Sequence, residues 1–194
     1  MNVVDRAKNI VLTPGTEWGA IEEEPATVNG IYKEHVVPLA LIPAIAGFIG
    51  ICIVGMSIPG VGTVRIGFFA GLIGAILQFG LSLALVYVLA LIIDALAPTF
   101  AGQKSPLAAF KVAAYAMTPI WIAGIFAVIP SISFLTLLGL LYGIYVLHLG
   151  LPRLMRAPQD KAVGYTAVVV LAAIVLSIVF AAVLGLFTGR SFDL

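Results

Sequence analysis

The sequence predicts an all-α polytopic membrane protein with five transmembrane helices preceded by short interfacial amphipathic helices, and three observations carry that prediction. Hydrophobic residues make up 62% of the 194 and charged residues only 10%, with a mean hydropathy of +1.17. So few polar side chains would not cover a water-soluble surface. Apolar runs recur at lengths that let a helix cross a hydrocarbon core of about 30 Å. Proline- and glycine-bearing breaks stand between those runs, where proline removes a backbone donor and clashes one turn back.

Taken in order, residues 1–35 read as an N-terminal interfacial segment. Val3, Val4, Ala7, Ile10 and Val11 fall at helical spacing with Asp5, Arg6 and Lys8 on the other side, which suits a short helix lying in the interface. Thr13-Pro14-Gly15 breaks it. A second short stretch, 16–24, carries Trp18 and three consecutive glutamates, whose acidic face is expected in water. No cleaved signal is expected from the charged start of the chain.

The membrane domain is expected over 36–187, with spans at about 36–58, 64–96, 106–128, 132–151 and 163–187, followed by a short tail, 188–194. Pro38 sits in the first turn of span one and Pro43 is expected to bend it. Pro59-Gly60-Val61-Gly62 forms a tight turn. Gly67, Gly71 and Gly74 put small residues on one face of span two, allowing close approach of a neighbouring helix or a homo-oligomer. Ser105 caps span three and Pro106 is its first residue. Between spans four and five, Gly150–Tyr165 is a turn broken by Pro152 and Pro158, and it carries Arg153, Arg156, Asp160 and Lys161.

Five spans put the termini on opposite sides. With the N-terminus cytoplasmic, that side receives Arg6, Lys8, Lys33, Lys104, Lys111, Arg153, Arg156 and Lys161, leaving Arg65 and Arg190 outside. The excess of basic residues predicts this orientation in a cell membrane. Arg153 and Arg156 read as topology anchors that meet anionic headgroups. Asp160 and Lys161, beside Gly164 and Tyr165, read as a cap and local ion pair.

Few ionisable groups lie near the membrane. Asp94 ends span two and Lys111 lies just inside span three, at matching depth, so the two are expected to pair. Tyr115 follows Lys111 at i+4, and His148 reaches a similar depth with Tyr145 three residues before it. Asp94, Lys111, Tyr115 and His148 therefore form either a structural ion pair or a polar cluster for an ion, proton or headgroup. Gln78 reads as interhelical glue.

Several classes lack support. Net charge is +1 without a run of five or more like charges, so nucleic acid has no electrostatic basis. Cys52, the single cysteine, reads as a small buried hydrophobe. The two histidines, His35 and His148, sit on separate helices without ligand spacing, so no metal or cofactor is expected. Neither a nucleophile elbow nor a phosphate loop is present, so no enzyme is expected.

Three stretches carry a family resemblance: Asp94-Ala-Leu-Ala-Pro98-Thr-Phe-Ala-Gly102-Gln-Lys104-Ser105, Phe110-Lys-Val-Ala-Ala-Tyr-Ala-Met-Thr-Pro119, and Ala157-Pro158-Gln-Asp160-Lys161-Ala-Val-Gly164-Tyr165. Together they resemble the prokaryotic branch of the Yip family, the Ypt-interacting membrane proteins. The resemblance implies a five-helix membrane domain with a cytoplasmic N-terminus. In eukaryotic members it implies binding of lipidated Rab-type GTPases. Ala114 stands where the family's Gly-Tyr-x-x-x-Pro element has glycine, and Lys33-Glu-His-Val-Val-Pro38 replaces its Asp-Leu-Tyr-Gly-Pro element. The expected function is a non-enzymatic inner-membrane scaffold or adaptor recruiting a protein partner through cytoplasmic loops. The alternative is a small transporter or channel built on Asp94, Lys111 and His148.

Overall fold

A computed structural model describes residues 2–58, 60 and 62–188, so the expected tail and Arg190 lie almost wholly outside the described residues. Two short helices, α1 (Val3–Leu12) and α2 (Pro14–Glu23), form an N-terminal arm. Five apolar helices long enough to cross a membrane follow, at Val28–Val54, Phe68–Phe100, Pro106–Val128, Pro130–Leu154 and Gln159–Gly185. A small hairpin links the first two, with β1 (Met56–Ile58) antiparallel to β2 (Gly62–Val64). Gly60 and Gly62 turn it at positive φ, a conformation that glycine adopts without penalty.

Each element has a local cause. Asn2 caps α1 by accepting from Asp5 N at 2.8 Å, and Pro14 opens α2 at a position where its missing donor is harmless. The first span begins at Val28, ahead of the expected 36, because Thr27 caps it through Gly30 N. Its helix widens into π turns at Tyr32–Val36 and Ile49–Val54, flanking a stretch that holds Pro38 and Pro43. Ser105 caps the third span, its Oγ accepting from Ala108 N. Pro152 lies inside the fourth helix, which continues to Leu154. The break before the fifth span is therefore made by Arg156, at φ 52°, and by Pro158.

The third span is the most enclosed and the fifth the least. From Ala109 to Ala116 every residue of the third span is buried, and its alanines let neighbouring backbones approach closely where no hydrophobic effect separates helix from lipid. Large apolar side chains face outward on the other spans, among them Phe69, Leu137, Leu141, Leu171 and Ile178. That inside-out distribution fits hydrocarbon as the surrounding medium. On the glycine face of span two, Gly71 is closely approached by Cys52 and Phe48 of the first span, whereas Gly67 has open space.

The arm does not lie free in the interface. Trp18 is 1% exposed, packs over Gly150 and donates from Nε1 to Val146 O at 3.1 Å. Tyr142 donates to Val11 O at 2.7 Å, an orphan carbonyl at the end of α1. Tyr142 is about 18 Å of helix from Leu154, so the arm extends well along the bundle.

Candidate functional site

The arm brings a polar cluster against the third span. Arg6, expected on the water side of α1, is 6% exposed. Its Nη1 donates to Glu17 at 2.5 Å and its Nη2 to Glu24, while its Cζ lies 5.6 Å over the Tyr115 ring. Glu17 is buried as well, so the acidic face of α2 is only partly in water. The reason is pairing: the Arg6 fork and the Glu17 carboxylate satisfy one another away from water, with the partly exposed Glu24 as the fork's second acceptor.

Lys111 reaches the same arm. Its Nζ donates to Ile21 O at 2.6 Å and Glu24 O at 2.7 Å, occupying carbonyls at the C-terminal end of α2, the negative pole of its dipole. Beside it, His35 Nε2 meets Thr118 Oγ1 at 2.8 Å, and the His35 ring stands edge-on to Tyr115 at 4.6 Å. A cleft of 390 Å³ lined by Arg6, Glu24, Glu34, His35 and Tyr115 opens there. His35 Nδ1 is buried without a hydrogen-bond partner.

The expected meeting of Asp94, Lys111 and His148 does not form. Asp94 Oδ1 accepts from Ser105 N at 2.7 Å, closing its own turn, and Lys111 turns to the arm. His148 Nδ1 is 3.1 Å from Thr166 Oγ1. That hydroxyl gives its only proton to Ala162 O, so Nδ1 is the donor. Only Lys111 and Tyr115 of the four share a neighbourhood. Among the described residues, no group of three or more His, Cys, Asp or Glu is placed to hold a metal ion. Gln78 is exposed on the second span, opposite Gly47.

The first and third motif stretches meet at the arm end of the bundle, while the second runs down the buried third span to Thr118 and Pro119. Tyr165 stacks on Phe100 at 4.8 Å and 9° and donates to Ile93 O at 2.5 Å. Gln103 N donates to Met155 O at 2.7 Å. Gly102 has room for no side chain: a Cβ there would lie 2.8 Å from Met155 O. Gly164 faces the Phe100 ring, which a Cβ would meet at 3.4 Å. Pro98, Lys104, Pro158, Asp160 and Lys161 are exposed around this frame, and Pro119 is buried with Thr118. Arg153 Nε donates to Glu22 at 3.1 Å, a further tie between arm and bundle. Asp160 sits in the first turn of the fifth span.

Arg6, Glu17, Glu24 and His35 were not among the expected site residues. Only a helical hairpin at Thr13-Pro14-Gly15 brings positions 6 and 17 together, and the sequence signal for it was the proline break between two charged amphipathic stretches.

These features define an integral membrane protein of five spans with a helical arm packed along the bundle from one end. The Yip1 domain family matches residues 8–181, and the chain belongs to that family. It is 30% identical over 158 residues to the inner membrane protein YohC of Escherichia coli (strain K12), covering 79% of this chain and 80% of the relative. The protein of the same name from Escherichia coli O6:H1 (strain CFT073) matches to the same extent. No solved structure matches.

Proposed function

We propose that this chain is a non-enzymatic membrane scaffold that recruits a protein partner on its cytoplasmic face. That face comprises the arm, the Asp94–Ser105 turn and the Gly150–Tyr165 stretch. The observation that supports the reading most is the convergence of these three stretches. The Gln103 N to Met155 O bond and the Phe100–Tyr165 stack join the turn to the Gly150–Tyr165 stretch, and Arg153 on Glu22 joins that stretch to the arm, with Lys104, Arg156 and Lys161 exposed around the frame. A rigid charged surface of this kind loses little ordering entropy on binding. The excess of basic residues on that side supports the cytoplasmic orientation. Self-association through the glycine face of span two belongs to the same reading and is checked by cross-linking in native membranes.

The test is affinity purification of the full chain in mild detergent beside Arg153→Ala/Arg156→Ala/Lys161→Ala. A partner that co-purifies with the parent and is lost from the variant supports recruitment. An identical set of partners from both overturns it.

A further inference from the structure

A second cleft, of 370 Å³, opens at the arm end between α2, the start of the third span and the end of the fourth. Its charged lining is Lys104, Lys111, Arg156 and Glu22. The one carboxylate is already engaged, since Glu22 accepts from Arg153 Nε. Three cations therefore face a common space with little opposing charge.

Lys111 sharpens the imbalance. It is 6% exposed, and its ammonium donates to two neutral carbonyls, Ile21 O and Glu24 O; among the described residues no carboxylate forms an ion pair with it, and Glu22 acts on it only at longer range. A buried charge held chiefly by dipoles gains from an anion brought near it. The third span also starts at this cleft, at Ser105 and Pro106, and the positive end of its dipole adds to the same field. Lys104 and Arg156, both exposed, reach the cleft from two different chain segments. Three donors arranged around one space suit a tetrahedral oxyanion, and the Arg156 fork can engage two of its oxygens.

We propose that this cleft binds the phosphate group of an anionic ligand, supplied either by a lipid headgroup or by a soluble phosphate compound. The site requires no protein partner and stands independently of the scaffold reading.

The test uses the full chain in dodecyl maltoside. Bound lipid is counted by native mass spectrometry during titration with phosphatidylglycerol or phosphatidylcholine, and inorganic phosphate and glycerol 3-phosphate are titrated calorimetrically. Saturable binding should weaken about fivefold for each cation removed, or roughly 25-fold in Lys104→Gln/Arg156→Gln. Lys33→Gln/Lys161→Gln removes the same charge away from the cleft and should leave binding unchanged. Preference for phosphatidylglycerol over the soluble compounds identifies the lipid as source, and comparable binding of glycerol 3-phosphate identifies a soluble ligand; both support the site. Equal weakening in the two double variants, equal binding of the two lipids without binding of either soluble compound, or no saturable binding of any probe overturns it.

Discussion

An alanine at Gly150 would place its Cβ 2.5 Å from Trp18 Cζ2, 2.7 Å from Cε2 and 2.9 Å from Cη2. These atoms belong to a rigid ring, so the indole must move as a whole. Overpacking of this kind costs about 1–3 kcal/mol. A displaced indole also strains the Trp18 Nε1 bond to Val146 O, worth about 1 kcal/mol. Against this, replacing glycine in a helix interior returns up to about 1 kcal/mol of propensity. The net expectation is a loss of about 1–3 kcal/mol. Gly80 supplies the control, because nothing lies within 4 Å of a Cβ built there. Gly80→Ala should therefore be neutral or stabilising by up to about 1 kcal/mol. Both are read by thermal unfolding in detergent, with Trp18 emission isolated by Trp121→Phe. Gly150→Ala should lower the midpoint and shift Trp18 emission to the red. Equal midpoint shifts for the two alanines, with Trp18 emission unaltered, would refute the docked arm.

Other substitutions probe the remaining contacts. Arg6→Met strands the buried Glu17 carboxylate and should destabilise by about 3–5 kcal/mol, whereas Arg6→Met/Glu17→Leu should recover much of that loss. Thermal melts of the cycle decide it, and a double variant no better than the single would remove the pair from the account. Ala101 holds φ 56°, so Ala101→Gly relieves left-handed strain and should raise stability by about 1 kcal/mol, an unchanged midpoint being the contrary result. Tyr165→Phe keeps the stack on Phe100 but removes one of two donors to Ile93 O, leaving Ala97 N; chemical denaturation should show a loss of about 1 kcal/mol, and parent-like stability would contradict a role for that hydroxyl.

Much of the architecture was legible because hydropathy and proline punctuation act locally. The capping of the third span could be read directly from Ser105-Pro106, as could the turns at either side of the membrane. Less legible was the behaviour of single charges. Arg6 has the spacing of a solvated residue on α1, and only its approach to Glu17, Glu24 and Tyr115 makes burial favourable. Pro152 reads as a breaker, yet the helix carries it to Leu154 before Arg156 ends the run.

Composition alone determined that this chain spans a membrane, since no arrangement of so few polar side chains covers a soluble surface. Run lengths determined five spans, because a helix must be long enough to satisfy its backbone across hydrocarbon. Tertiary structure decided which charges meet. Asp94 and Lys111 sit at matching depth in the sequence, but depth is one coordinate and pairing needs three. The arm offers Lys111 the carbonyls at the end of α2, while Ser105 N lies within reach of Asp94 in its own turn. That exchange of partners is long-range for Lys111 and local for Asp94, and it separates the expected pair.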